Sequence, residues 1–225
     1  LGILDLEAVI PQNPHLILIP KVETGEHVRA VDSKIHSLKK EKGLFEDVFL
    51  MPIIESALGC FEASYIASSS SNVVGLTIGL EDYTADIGAE RTVEGKESFW
   101  ARSVVVNAAR AAGVQPIDSV FSDVNDSDGL YKSCLESKSM GFEGKGCIHP
   151  RQIPIIHQAF APSQKEIEKA KKIVLAFEEA EKKGLAVVSL GSKMVDPPVV
   201  KRALKTIALS EKLGILNTNW REKEE

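Results

Sequence analysis

No apolar run in this chain approaches the roughly 20 consecutive residues that an α-helix needs to cross a membrane, and its first residues lack a basic segment followed by an apolar one. Both absences lead us to expect a cytoplasmic protein with no membrane partner. Cysteine is scarce: Cys60, Cys134 and Cys147 are the only three, an odd number, with no C-x-x-C pair and no zinc-finger spacing, so they read as reduced thiols. A basic excess is also missing. The 27 Lys and Arg are outnumbered by 32 Asp and Glu, for a formal net charge of −5, which gives no basic stripe for nucleic acid or an anionic surface. Gly75, Gly79 and Gly88 belong to no G-x-G-x-x-G fingerprint and no Walker-type loop is present, which argues against a nicotinamide or ATP enzyme.

What the chain does have is two apolar runs that each end in a carboxylate, Val48 to Glu55 and Val73 to Asp82. Runs rich in Val, Ile, Leu and Phe, bounded by turn residues and followed by helix-length segments, predict strands of a buried parallel sheet. In α/β folds ligands sit at the C-terminal strand ends, so Glu55 and Asp82 are expected to direct oxygen ligands into one pocket suited to a hard cation such as Mg²⁺. Each acid also has an ordinary reading, Glu55 as a carboxylate at a helix N-terminus and Asp82 as a loop cap. Two like charges held close repel unless a cation or proton intervenes, which favours metal binding for the pair. Glu81 and Asp86 are expected to fix the intervening loop through backbone N–H groups or Arg91.

At 225 residues and 44% hydrophobic composition, the chain can bury a core as one α/β barrel, a class that runs to roughly 200–250 residues. Alternating apolar and amphipathic segments from Leu16 to Pro150 predict repeated βα units. Five strands are expected, at Leu16–Pro20, Val48–Ile54, Val73–Leu80, Ile117–Phe121 and Gly146–His149, with helices near 25–42, 56–68, 95–112, 126–140 and 151–159. Ser163 and Glu166 have capping-box spacing and open a charged helix that stops at Gly184. An extended segment Ala186–Leu190 follows, then a last helix Val199–Leu213 with Pro198 in its first turn, and a frayed tail from Asn217 to Glu225. The division expected is 1–160 as part of a barrel and 161–225 as a helical C-terminal extension.

Leu18 to Glu23, Met51 to Gly59, Gly79 to Gly88, Ala101-Arg102-Ser103, Phe121 to Asp126, Ile148 to Ile153 and Lys193 to Asp196 together resemble the HpcH/HpaI aldolase superfamily, in particular its citrate lyase β branch. The resemblance covers nearly the whole chain. It implies a (β/α)8 TIM barrel, of which about five βα units are visible here, and Mg²⁺ held by Glu55 and Asp82. It implies cleavage of a citryl thioester, carried on an acyl carrier protein or CoA, to oxaloacetate and an acetyl thioester. It further implies α and γ (acyl carrier) subunits as partners, and a homo-oligomer, trimer or hexamer. Asp196 is then expected as the acid or base that handles the enolate proton in a neighbouring subunit's site, although by itself it reads as the N-cap of the last helix.

The same resemblance implies roughly three further βα units ahead of Leu1, with an arginine that has no counterpart here, because five strands cannot close an eight-stranded barrel. On that reading the full-length protein is the lyase, this chain alone is inactive, and its open strand edges favour association. His149 is placed at a strand end but reads better as the turn into the next helix. Lys21 and Glu23 are read as pocket residues or as an ion pair with each other, and Arg102 as a structural partner of Glu97 or Ser98. The competing readings are a malyl-CoA or citramalyl-CoA type lyase, and a non-catalytic metal-binding assembly module.

Overall fold

A computed structural model describes residues 2–184, 188–190 and 193–221. The chain falls into two compact units, Leu1–Phe160 and Ala161–Glu225.

In the first unit, α1 (Ile3–Val9) and a 3-10 turn (Ile10–Gln12) precede β1 (Leu16–Ile19), α2 (Gly25–Lys42), β2 (Phe49–Ile54), α3 (Ala57–Ala67), β3 (Gly75–Ile78), α4 (Leu80–Asp86), α5 (Phe99–Ala112), β4 (Gln115–Asp118), α6 (Ser127–Met140), β5 (Gly144–Lys145) and α7 (Gln152–Phe160). The strands form one sheet in the order β1-β2-β3-β4-β5, and every pairing is parallel. Strand order that follows chain order, with a helix in each crossover, is the arrangement of consecutive units of a (β/α)8 barrel. Among the described residues, β1 and β5 pair with one neighbour each and form the edges.

Alternation along the strands sets the core. Ile17, Ile19, Leu50, Ile54, Leu76 and Ile78 are buried in one cluster with Val28 and Ile35 of α2, Ala63 and Ile66 of α3, and Val105 and Ala109 of α5. Leu16, Leu18 and Phe49, on the opposite side of the pleat, are exposed. Gly43 and Gly113 end α2 and α5 in the left-handed conformation, each returning its N–H to the last turn of its helix.

Among the boundaries that differ from those expected, three have an evident cause. β4 ends at Asp118 rather than Phe121, because the backbone beyond it is satisfied by side chains. The Val120 carbonyl accepts from Arg91 and the Phe121 carbonyl from Gln152. β5 is Gly144–Lys145 and not Gly146–His149. The Ile148 N–H is taken by the side chain of Gln152, and His149 lies in the turn before α7, its Nδ1 accepting from the Arg151 N–H. α5 begins at Phe99 rather than 95, since Gly95 has φ of 62° and the side chain of Glu97 accepts from Thr92 in a closed turn. The seven-residue α4 has no counterpart in the sequence reading, which carried the strand through Leu80.

The second unit holds α8 (Gln164–Lys182), β6 (Val188–Leu190), β7 (Lys193–Val195) and α9 (Pro197–Lys212), with the two strands antiparallel. The capping box is present: Ser163 Oγ accepts from the Glu166 N–H, while the Glu166 carboxylate accepts from the Ser163 N–H. α9 starts at Pro197, so both prolines occupy its first turn, where their missing N–H groups leave nothing unpaired. Ala186 and Val187 of the expected extended segment lie outside the described residues. The tail is not frayed where it is described: Trp220 is buried among Ile173, Val200 and Ile207, and its Nε1 donates to Glu211 at 3.0 Å.

Candidate active site

Parallel pairing brings the C-terminal ends of β1, β2 and β3 together. The Val22 N–H donates to the Ile53 carbonyl and the Gly79 N–H to the Ile54 carbonyl, at 3.3 and 2.9 Å, so the three strand exits are tied to one another. From these exits come Lys21, Glu55 and Asp82. Glu55 Oε1 accepts from the backbone N–H of Lys21 at 2.6 Å, and Asp82 Oδ1 accepts from Lys21 Nζ at 2.6 Å. The ion pair expected between Lys21 and Glu23 is therefore replaced by one across the site. Glu23 instead uses its N–H toward His27.

The ordinary role considered for Glu55 is filled by other residues. At the start of α3 the Ser56 side chain accepts from the Gly59 N–H, and Asp86 Oδ2 accepts from the Ala57 N–H at 2.7 Å. The helix N-terminus already has its hydroxyl and its carboxylate, and Glu55 is turned away toward Lys21 and Asp82. Gly79 makes room for it: a Cβ there would stand 2.6 Å from Glu55 Oε2. Asp86 thus fixes the loop as expected, and Glu81 does so through an ion pair with Arg91.

The two carboxylates differ electrostatically. Burial pushes the half-buried Glu55 carboxyl above its ordinary range, opposed by the Lys21 N–H and assisted by the charge of Asp82. The more exposed Asp82 is held below its ordinary range by the hydrogen bond and charge of Lys21. An acid that is disfavoured as an anion, beside a second anion, is an arrangement that a cation relieves.

No group of three or more His, Cys, Asp or Glu suited to a metal occurs among the described residues. Two carboxylates are still a sufficient protein contribution for Mg²⁺. That ion keeps several waters and commonly binds through one or two carboxylates plus oxygens of the substrate. The donor set therefore fits a hard divalent cation, and the close approach at Gly79 leaves space for the Glu55 carboxylate beside Asp82.

Asp196 belongs to the second unit. There Oδ1 accepts from the Val199 N–H at 3.2 Å and caps α9.

One charged cluster of the first unit escaped the sequence reading. The guanidinium of Arg102 in α5 pairs with Asp118 and Glu136 rather than with Glu97 or Ser98. Its Nε and Nη2 donate to the two oxygens of Asp118 at 3.2 and 2.8 Å, and its Nη1 donates to Glu136. Lys145 Nζ and Ser137 Oγ also donate to Asp118, at 3.0 and 2.5 Å. Asp118 is fully buried, and these groups clamp the ends of β4 and β5 to α5 and α6.

A family model described as HpcH/HpaI aldolase/citrate lyase matches residues 1–150. The chain is 40% identical over 215 residues to the citrate lyase subunit beta of Haemophilus influenzae, covering 95% of this chain and 74% of that one. Over 216 residues it is 32% identical to the mitochondrial citramalyl-CoA lyase of Homo sapiens, covering 92% of this chain and 64% of that one. Among solved structures it matches the protein CitE of Mycobacterium tuberculosis in complex with magnesium, acetoacetate and coenzyme A. The TM-score is 0.72 at 26% identity, covering 92% of this chain and 72% of that one. A citrate lyase of Burkholderia xenovorans shares the fold, with a TM-score of 0.83 at 20% identity over 94% of this chain and 69% of that one.

Proposed function

This chain belongs to the HpcH/HpaI aldolase/citrate lyase family, and on that premise we propose that it is the β-type subunit of a citrate lyase, a carbon–carbon lyase that cleaves a citryl thioester to oxaloacetate and an acetyl thioester. The observation that carries this reading is the convergence of Glu55 and Asp82 at adjacent exits of a parallel sheet. The relatives named citrate lyase subunit beta support the citryl substrate, and the M. tuberculosis structure with magnesium, acetoacetate and coenzyme A supports the metal and the thioester carrier. The protein would act in the cytoplasm as a homo-oligomer, with α and acyl carrier subunits supplying and receiving the thioester.

Glu55 and Asp82 would hold Mg²⁺. When bound, that ion supplies Lewis-acid stabilisation of the oxygen charge that develops on the oxaloacetate half during cleavage. The chain's own residues shape the rest. Gly79 admits the Glu55 carboxylate, the Lys21 N–H fixes one of its oxygens, and Asp86 with Ser56 saturates the start of α3 so that Glu55 is not drawn into capping.

The test is calorimetric. The chain should bind oxaloacetate measurably only when Mg²⁺ is present, and the intact protein should turn over citryl-CoA in preference to malyl-CoA and citramalyl-CoA. Metal-independent oxaloacetate binding, or no binding at all, would point instead to an assembly module.

We assign the proton transfer at the enolate carbon to Asp196, acting from the end of the β7–α9 turn in a neighbouring subunit's site. Its capping bond uses one oxygen, Oδ1, toward the Val199 N–H, which leaves Oδ2 for chemistry. Asn keeps the cap through its amide oxygen and cannot accept or return a proton. Asp196→Asn is therefore expected to fold with an unchanged thermal midpoint and to lose about 10²–10⁴-fold in kcat. Near-normal citryl-thioester cleavage by this variant would remove the assignment.

A further inference from the structure

Lys21 is the one non-glycine residue besides Asn13 that the described chain holds at positive φ, 52° against 53°. A β-carbon makes that left-handed conformation unfavourable, so surrounding structure must hold it there. Its effect is directional. The backbone N–H of Lys21 faces Glu55 while its side chain turns across to Asp82, so one residue bonds both carboxylates with two different groups, each at 2.6 Å.

These two bonds are separable. The N–H is a fixed donor that every residue except proline would provide. The ammonium is a compact charge on a flexible stem, 71% exposed and free to leave. At 2.6 Å from Asp82 Oδ1 it already satisfies the oxygen that a divalent cation would require. A cation brought to the same carboxylate is repelled by it.

Resting on the metal assignment above, we propose that Lys21 is a built-in competitor for the divalent cation. Its ammonium neutralises Asp82 beside Glu55 and is displaced when the metal binds, while its N–H keeps Glu55 oriented in both conditions. The residue thus sets the Mg²⁺ concentration at which the site fills. It is a positioning residue and takes no part in bond cleavage.

Titration calorimetry of the 225-residue chain with MgCl₂ tests this without any assay of turnover. Lys21→Met and Lys21→Gln keep the backbone donor and remove the charge. Both should bind Mg²⁺ roughly three- to tenfold more tightly than the parent at low ionic strength, with the gain shrinking as salt is raised. Lys21→Arg, which keeps the charge, should not tighten binding. Circular dichroism confirms that each variant is folded. Unchanged or weaker Mg²⁺ affinity in the Met and Gln variants, with binding still lost in Glu55→Gln, overturns the competitor role alone. Absence of Mg²⁺ binding in the parent and all variants overturns the metal assignment together with it.

Discussion

Asp118→Ala is expected to cost the first unit about 3–5 kcal/mol, the range for breaking one partner out of a buried ion pair. The loss is a large fraction of the roughly 5–15 kcal/mol by which a domain is stable. Asp118 is fully buried, and Arg102 and Lys145, whose side chains are about as inaccessible, both depend on it. Its removal leaves Lys145 buried without a carboxylate and Arg102 with only the half-exposed Glu136. Urea unfolding followed by circular dichroism measures the difference, and a loss under about 1 kcal/mol would refute the account. Replacing Arg102, Asp118 and Lys145 together by apolar residues of similar size should cost less than Asp118→Ala alone, because no orphaned charge remains.

The pH dependence has a definite sign. Burial by itself would raise the Asp118 carboxyl, but the charges of Lys145 and Arg102 and the hydrogen bonds from Arg102 and Ser137 outweigh it and hold it below its ordinary range. The unfolded chain therefore takes up this proton more readily. The contribution is complete above the ordinary aspartate value of about 4 and is lost as pH falls through the lower folded value.

Glu55→Gln should be nearly as severe for function and harmless for folding. Gln keeps an oxygen for the Lys21 N–H and fits the space beside Gly79, but it cannot supply the charge a hard cation requires. We expect Mg²⁺-dependent oxaloacetate binding to disappear and turnover of the intact protein to fall by at least about 10²-fold. The folded state raises the Glu55 carboxyl above its ordinary range, first through burial. The ionised form is thus disfavoured by folding, and this group contributes most below its unfolded value and least once pH has risen through the folded one. Removing the charge should leave the thermal midpoint near pH 7 unchanged or higher. A large drop in midpoint would mean that Glu55 is structural and that lost binding reports misfolding.

The sheet and its chemistry were legible in the sequence to different depths. The exits of β2 and β3 could be located because their Val, Ile and Leu runs stop at a charged residue, and parallel pairing then places Glu55 beside Asp82 without further information. The span of α2, expected near 25–42, was readable from the amphipathic segment between the first two apolar runs. Asp118 was not readable. Its partners Arg102, Ser137 and Lys145 lie 16, 19 and 27 residues away, beyond any helical or strand period, and a sequence reading of Arg102 finds only the acids and hydroxyls close to it in the chain. Of the two readings of Lys21, the pairing with Glu23 fails for the same reason while its place beside the carboxylates holds: Glu23 is near in the chain, and Asp82 is near only after β1 and β3 have both flanked β2. The helix α4 was hidden by its length, since seven residues offer too few turns for a pattern to stand out.

Because strand order in the first unit repeats chain order, each strand finds its place against the strand that precedes it. Closure of any one step spans a single βα unit, which keeps the entropy of each loop small and the contacts local. Such a sheet can be laid down from its N-terminal side as the polypeptide leaves the ribosome. One member waits for the end of that process: Asp118 arrives with the fourth strand, and Lys145, which meets its charge, arrives with the fifth. Sealing of the charged cluster is therefore tied to arrival of the fifth strand: a chain synthesised only through α6 offers Asp118 the Arg102 guanidinium and the Ser137 hydroxyl, and the Lys145 ammonium is added last.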